Sequence, residues 1–450
     1  MEKLKTTDDL PEPVAVIFRN RAKLAERIGK ANALYTPPAA EHYLHLYPWD
    51  SSAAAIVLSH FGHVREAETE VFSVFRMQRP NGMVPNQQRV RGYRSYDPEL
   101  LTFTRPWESS DYSQPPIWVT AIADTYNSAK RQDPRRAKLF LDSIYPYLKP
   151  SLTYYADHRQ LSATNPLLFN VKAEETGRDS DESLNGYVRK FPRNGQETSF
   201  IVDLANTGLD YLGKIALGGR NRLNGWDPQK IQRYYRPVDP LFNGIYAANM
   251  HVAADLAPEL EKNSDADWFK NKAYAVEERM ISDLYDPDTR QGKGAYLVHN
   301  IKGPNKEISI SSAIGPLLLK TLPERHLENQ LDLLDDEFNT LFPWPTMSTK
   351  SRHYDPEGRQ PHRVWNSEVM MIANWLGSVG LRNQARRALD KFNRRDLASR
   401  CLRWSETRVI PQSKYLLRQG YFEGYSPETG RPKRTGTVWD FVWNGLIETL

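Results

Sequence analysis

An acidic segment in the middle of the chain, residues 174–183, has the composition that proton-transfer chemistry needs. It holds five carboxylates in ten residues, Glu-Glu-Thr-Gly-Arg-Asp-Ser-Asp-Glu-Ser. Charges at this density repel one another and Gly177 interrupts a helix or strand, so we expect a loop that is too acidic for the core. Carboxylates crowded in a cleft can have the raised pKa that a general acid requires, and Asp179 is the candidate. The alternative is a solvated acidic loop, which charge runs usually form.

A second carboxylate, near the carboxyl end, lies among aromatic residues. The segment 421–430 is Tyr-Phe-Glu-Gly-Tyr-Ser-Pro-Glu-Thr-Gly. Inverting glycoside hydrolysis needs one carboxylic acid that protonates the leaving oxygen and a second carboxylate, about 6.5–9.5 Å away, that activates water. Glu423 is the candidate base. An ordinary turn with Glu428 exposed explains the segment equally well.

Three further clusters combine aromatic rings with polar groups, as sugar sites do. Trp49 can stack on a sugar ring while Asp50 binds its hydroxyls, although a helix cap explains Asp50 as well. Gln114, in Gln-Pro-Pro, presents an amide that donates and accepts, although a simple helix start explains the prolines. Trp365 is expected to flank the cleft.

Other chemistries have no comparable signal. The ten histidines form no His-Glu-x-x-His motif, and the sequence has no Gly-x-Gly-x-x-Gly, Walker or Gly-x-Ser-x-Gly motif. Cys401 is the only cysteine, which excludes an intrachain disulfide and a cysteine-based metal site. We therefore expect no metal and no nucleotide cofactor.

Composition is typical of a soluble globular protein with a sizeable core. Hydrophobic residues make up 40% and charged residues 26% of 450 residues, and the net charge of +5 comes without a basic block, so nucleic acid is not expected as a partner. Neither a leader-like apolar run in residues 1–13 nor a run of about 18 apolar residues occurs, so we expect a cytoplasmic protein without a membrane span. Aromatic residues reach 11%, which favours a carbohydrate cleft.

The elements that must position these residues are mostly helices. The clearest period has steps of four, three, four and four residues, at Phe269, Ala273, Val276, Met280 and Leu284. Similar stripes predict helices over 137–155, kinked by Pro146, and over 381–392. Weaker periods predict helices at about 14–34, 51–61, 65–78, 114–128, 198–217, 239–256, 311–320, 324–335, 363–378 and 436–449. Strand signals are few and short.

No composition shift or linker divides these helices, so we expect one domain over residues 1–450. Helical hairpins in this number close most economically into an all-α toroid, in which the loops at one end line a funnel. Residues distant in sequence can then meet in that funnel.

The order of the clusters resembles the mannosylglycerate/glucosylglycerate hydrolases of glycoside hydrolase family 63, which are relatives of processing α-glucosidases and, more distantly, of trehalases. The matching pieces span nearly the whole chain. They are Trp49-Asp50-Ser51, Gln78–Pro85, Gln114-Pro115-Pro116, Thr176-Gly177-Arg178-Asp179, Val364-Trp365 with Asn374-Trp375, and Glu423–Gly430.

The resemblance implies an (α/α)6 barrel and an inverting hydrolase that cleaves an α-glycosidic bond of a small glycoside, such as glucosylglycerate or mannosylglycerate, without a cofactor. Asp179 matches the acid and Glu423 the base. Six positions are expected to bind substrate: Trp49, Asp50, Gln114, Arg178, Trp365 and Tyr425.

The acid loop departs from the family, in which it usually follows His-Pro-Trp and continues Asp-Asn-Ser-Pro. Here Lys172–Thr176 leads in and Ser180–Glu182 follows. The stacking residue and the asparagine contact are lost, which leaves the substrate open. Two alternatives stay open as well: a carbohydrate-binding protein without catalysis, and a sugar epimerase whose acid and base are histidines among His251, His353 and His362.

Overall fold

The computed structural model of the chain describes residues 10–89, 109–179, 181–184, 200–356, 365–432 and 438–450. Its α-helices, in chain order, are α1 (Glu12–Arg27), α2 (Pro48–His60), α3 (Val64–Val74), α4 (Trp118–Gln132), α5 (Pro134–His158), α6 (Phe200–Leu223), α7 (Pro228–Ile231), α8 (Pro240–Leu256), α9 (Asn263–Arg279), α10 (Ile310–Ile314), α11 (Glu324–Glu337), α12 (Met371–Asp390), α13 (Arg395–Leu402) and α14 (Ile410–Leu417).

Other regular segments are short. Turns of 3-10 helix lie at Ala173–Thr176, Ala257–Leu260, Gly315–Leu318 and Val442–Thr449, and π-helical stretches lie at Met280–Leu284 and Arg403–Val409. The strands form antiparallel pairs: β1 (Gln160–Ser162) with β2 (Asn165–Leu168), β3 (Tyr285–Asp286) with β4 (Ala295–Tyr296), and β5 (His299–Asn300) with β6 (Gly303–Pro304). In the first pair Gln160 lies opposite Leu168.

Two concentric layers of helices build the molecule. In the inner layer α2 contacts α4, and α4 contacts α8. Residues 315–318 lie between α8 and α12 and contact both. Residues 442–449 contact α12 on one side and α2 on the other, which closes the ring. In the outer layer α3 packs on α2, α5 on α4, α9 on α8, α11 on α10, α13 on α12, and α1 on residues 442–449. This is an (α/α)6 barrel, so the predicted all-α toroid is confirmed.

The sequence explains which helices lie inside. In α2 every residue from Pro48 to Ser59 is buried, because alanines, serines and aliphatic residues surround the whole helix. By contrast α9 buries only one stripe, which includes Phe269, Ala273 and Val276. Inner segments also approach closely: a Cβ on Gly244 of α8 would lie 2.5 Å from the carbonyl oxygen of Gly315, so the barrel wall needs glycine there.

The three clearest helix predictions are confirmed. The stripe at 269–284 is α9 with its π-helical continuation, the stripe at 137–155 is α5 with Pro146 inside it, and the stripe at 381–392 belongs to α12. The weaker prediction at 363–378 begins too early, because among its described residues only 371–378 are helical, at the start of α12. The prediction at 14–34 runs too far, because α1 ends at Arg27 and Gly29 has φ +64°.

The helical stretch 395–417 was not predicted. Its buried positions include Leu397, Cys401, Ser405, Val409 and Ser413, so serines interrupt the apolar stripe that would have predicted a helix. Parts of other predictions lie outside the described residues: 1–9, 180, 198–199, 357–364 and 436–437.

Candidate active site

A cavity of about 360 Å³ opens where the inner helices begin, which is the end of the barrel expected to carry the site. Both candidate catalytic residues and four of the six expected substrate-binding residues line it: Trp49, Asp50, Gln114, Asp179, Trp365 and Glu423. Residues far apart in sequence therefore meet at one place.

The first turn of α2 forms one wall. Trp49 is buried, and its backbone N–H donates to Gln114 Oε1 at 2.9 Å, which ties the Gln-Pro-Pro turn to α2. Gly177, at φ +75°, carries the acid loop past the indole: a Cβ there would lie 3.7 Å from the Trp49 ring. Part of the predicted role of Gln114 is thus structural, since its carbonyl already accepts a hydrogen bond.

The wall presents polar atoms with no hydrogen-bond partner among the described residues. They are Asp50 Oδ1, Trp49 Nε1 and Trp443 Nε1, all buried. Burial, and in addition the negative charge of Asp179, raises the pKa of Asp50 well above its ordinary value. Buried polar atoms without partners are costly, so this wall is suited to a ligand that carries hydroxyl groups.

The electrostatics of Tyr43 show that the candidate carboxylates converge. The pKa of its hydroxyl is raised well above 10.0, and the largest cause is the charge of Glu423, followed by burial, by Tyr47 and by the charges of Asp179 and Asp50. Three carboxylates thus act on one partly buried phenol. Glu423 is partly buried, whereas Asp179 is exposed on the open side of the cavity.

The acidic segment is not a solvated loop, so the expectation that it is too acidic for the core is wrong. Its carboxylates other than Asp179 are buried. Glu174 Oε1 lies 3.2 Å from Lys172 Nζ and 3.4 Å from Lys214 Nζ, and Asp181 pairs with Arg178. Burial is possible because cations from the loop itself and from α6 neutralise the segment.

Glu175 anchors the acidic segment to neighbouring parts of the barrel. One carboxylate oxygen accepts from Arg159 Nε and Nη2, at 3.1 and 3.0 Å, and from the backbone N–H of Ser113 at 3.2 Å. The other accepts from the backbone N–H of Val171 at 2.8 Å. A fully buried ion pair therefore joins the acid loop, the end of α5 and the residue before Gln114.

Replacing Glu175 with glutamine should destabilise the protein severely. Removing one partner of a buried ion pair leaves an uncompensated charge, here that of Arg159, and typically costs about 3–5 kcal/mol. Urea denaturation followed by circular dichroism would measure the free energy of unfolding. The matched control is Glu278→Gln on the exposed face of α9, which should change it by less than about 0.5 kcal/mol.

Arg178 does not lie among the described residues that line the cavity, which corrects its predicted role in substrate binding. Its guanidinium is enclosed between Asp181 and Asp239 and donates to Ser309 Oγ at 3.3 Å. Asp239 in turn caps α8, accepting from the backbone N–H of Phe242 at 2.7 Å. Arg178 thus anchors the acid loop to an inner helix.

Tyr425 is also placed by the structure away from the cavity lining. It is fully buried, its hydroxyl donates to the carbonyl of Gly420 at 2.5 Å, and the hydroxyl accepts from the backbone N–H of Phe422 at 3.1 Å. These contacts close the turn around Glu423. The predicted contact with substrate is therefore replaced by a role in shaping the turn.

Sequence reasoning missed several lining residues, notably Tyr43, Glu174, Phe441 and Trp443. Because the barrel is closed, Phe441 lies beside Tyr43, with ring centroids 6.1 Å apart. Trp443 lies edge-to-face with Trp365 at 6.3 Å. An available signal was the toroid itself, since its last inner segment must lie next to its first.

Within the described ranges, no group of three or more His, Cys, Asp and Glu residues is arranged to hold a metal ion. Among the helices of those same ranges, none has the length and apolar character that crossing a membrane requires.

Comparison with known proteins identifies similar chains. The family model described as mannosylglycerate hydrolase MGH1-like glycoside hydrolase domain matches residues 43–443. The mannosylglycerate hydrolase of Thermus thermophilus, of glycoside hydrolase family 63, solved with Tris and D-glycerate, is 20% identical, with a TM-score of 0.74 over 97% of this chain and 98% of that one. The same enzyme with glucose gives 21% and 0.72 over the same shares.

A more distant structure shares the fold. The neutral trehalase of Saccharomyces cerevisiae is 16% identical, with a TM-score of 0.52 over 92% of this chain and 73% of that one. A search of curated proteins found no significant match.

Proposed function

This chain belongs to the mannosylglycerate hydrolase MGH1-like glycoside hydrolase family, and we propose that it hydrolyses the α-glycosidic bond of a small glycoside such as mannosylglycerate or glucosylglycerate. The observation that carries the proposal is the meeting of Asp179 and Glu423, from opposite halves of the chain, in one cavity with Trp49 and Asp50. A cavity of about 360 Å³ lies at the small end of the range for ligand sites, as a small substrate requires.

In the proposed mechanism Asp179 is the general acid and protonates the bridging oxygen as the bond to the anomeric carbon breaks. Glu423 removes a proton from the water that attacks the opposite face of that carbon. The sugar is therefore released with the configuration at its anomeric carbon inverted. Trp49 offers a flat face to the sugar, and Asp50 accepts from its hydroxyls.

Neither His251 nor His353 lines the cavity that holds Asp179 and Glu423, although His42 and His45 do. His251 lines a different cavity, at the other end of the barrel, and His353 lies 3.7 Å from Glu307 and 4.0 Å from Glu182. His362 lies outside the described residues.

We also propose a cytoplasmic location. The buried, free thiol of Cys401 fits it.

The proposal is tested with a panel of mannosylglycerate, glucosylglycerate, trehalose and short α-glucosides. Proton NMR within the first minutes should show release of the β-anomer of the free sugar from one of the glycerate compounds. Initial release of the α-anomer would contradict inversion. Release from trehalose alone would contradict the proposed substrates.

A further inference from the structure

A second cavity, of about 840 Å³, opens at the opposite end of the barrel. Its mouth lies at the carboxyl-terminal ends of the inner helices, whereas the first cavity is built from their amino-terminal ends. Ile56 of α2, Ile245 of α8, Trp375 of α12 and Leu319 line it and are all buried. The deep part of this cavity therefore has a large apolar surface, beside which the buried polar side chains of Asn249 and His251 also lie.

The mouth of this cavity is cationic. Arg131, Lys320, Arg386 and Lys391 lie on it, all four are exposed, and none has an ion-pair partner among the described residues. Arg387 also lines the mouth, whereas Arg382 is paired with Glu406 at 2.6 Å and the lining carboxylates of Asp124 and Asp255 oppose the positive charge.

Two nearby arginines of the outer layer are paired. Arg394 pairs with Glu324, Glu328 and Asp396, and Arg400 pairs with Asp332 and Asp335 at 2.8 and 2.7 Å. The four cations at the cavity mouth have no such pair among the described residues. They come from three separate parts of the chain, α4, the turn at 320 and the end of α12, so no single helix explains them.

Helix dipoles explain only part of this charge. The inner helices end at this mouth, and cations in a last turn such as Arg131 or Arg387 are favourable there. Lys320 and Lys391 lie outside helices, and Arg386 extends the charge on α12. Mutual repulsion among cations around an apolar pit is relieved when an anion occupies the mouth.

We propose that this second cavity binds an amphipathic anion, with an apolar body in the pit and a sulfonate, carboxylate or phosphate group at the ring of Arg131, Lys320, Arg386 and Lys391. The site is independent of the proposed hydrolysis. Its polar wall is fixed: His251 Nε2 lies 2.9 Å from Glu277 Oε1, and Glu277 accepts from Thr321 Oγ1 at 2.6 Å.

The test uses 8-anilinonaphthalene-1-sulfonate, which combines an aromatic body with one negative charge. Fluorescence titration of the full chain should show saturable binding at one site. Arg386→Gln/Lys391→Gln should weaken it about 25-fold, since each charge contributes about fivefold at about 4 Å in water. The matched control Arg65→Gln/Lys270→Gln removes two exposed charges elsewhere and should leave the affinity unchanged.

A second variant locates the probe and does not depend on the charged residues. Ala248→Phe on α8 fills the second cavity and should abolish binding, with glycosidase turnover unchanged because the first cavity is not touched. Binding that survives Ala248→Phe, or that is equal in the charge variant and its control, would overturn the proposal. Absence of saturable binding in the wild type would also overturn it.

The pH dependence of probe binding provides an independent test. Burial raises the pKa of Asp124, which lines the cavity, to about 6, with Arg131 opposing the shift. The other charged or titratable side chains that line this cavity are His60 of α2, His251 and Asp255 of α8, Tyr274 of α9, Lys320, Arg382, Arg386 and Arg387 of α12, and Lys391.

Below pH 6 the Asp124 carboxylate is protonated and no longer repels the anion, so binding should tighten about fivefold between pH 7.5 and pH 5. The control is Asp124→Asn, which has no carboxylate to protonate and should therefore bind tightly already at pH 7.5. An Asn variant with wild-type affinity at pH 7.5 would contradict an anion beside Asp124.

Discussion

Asp179→Asn should lower kcat on the natural glycoside by about 10²–10⁴-fold, the usual contribution of a general acid. The bridging oxygen leaves as a poor, strongly basic group unless it is protonated, and asparagine has no proton to give. The α-fluoride of the same sugar is the informative comparison. Fluoride leaves with little need for protonation, so the variant should hydrolyse the glycosyl fluoride at close to the wild-type rate.

The control for this variant is Asp142→Asn, an exposed carboxylate on α5 that should have normal turnover on both substrates. Circular dichroism and thermal unfolding should show an unchanged fold for both variants, since Asp179 is exposed. An equal loss on the glycoside and the fluoride would assign Asp179 a role other than acid. Normal turnover on the glycoside would remove it from the mechanism.

The fold could be predicted because it depends on local patterns. An inner helix such as α2 has small and apolar residues on every side, and an outer helix such as α9 has one apolar stripe; both features are visible in the sequence. The stretch at 395–417 escaped because serines occupy two of its buried positions, Ser405 and Ser413, so its apolar stripe is incomplete in the sequence.

Side-chain direction could not be predicted. Arg178 and Tyr425 adjoin or nearly adjoin Asp179 and Glu423 in sequence, and both were expected at the substrate. The position of Arg178 is set by Asp239, which lies 61 residues away, and Tyr425 bonds to the backbone of its own turn. Which of two neighbours faces the cavity is decided by such partners, which a single sequence does not reveal.

The same partners correct the interpretation of the acidic segment. Its charge was visible, but its cations come from Arg159 on the loop after α5 and Lys214 on α6 as well as from within it. Glu175 and Arg178, on either side of Gly177, are fixed by buried ion pairs, while Asp179 stays accessible. The loop thus forms a rigid support for one exposed carboxylate, as proton transfer to a bound substrate requires.

Glu423→Gln should also lower kcat by about 10²–10⁴-fold, but on both the glycoside and the fluoride. Water must be deprotonated as it attacks the anomeric carbon whatever the leaving group, so an easier departure cannot rescue the loss of the base. Steady-state rates on the two substrates, for Asp179→Asn and Glu423→Gln side by side, would separate the two roles.

Glu428→Gln is the matched control, because Glu428 belongs to the same turn, is exposed, and accepts from the Tyr354 hydroxyl at 2.7 Å. It should keep near wild-type rates on both substrates, which would show that the turn tolerates loss of a carboxylate. Fast fluoride hydrolysis by Glu423→Gln would mean that water is activated by another group. Asp50 would then be the next candidate, since it lines the same cavity and has an unpartnered oxygen.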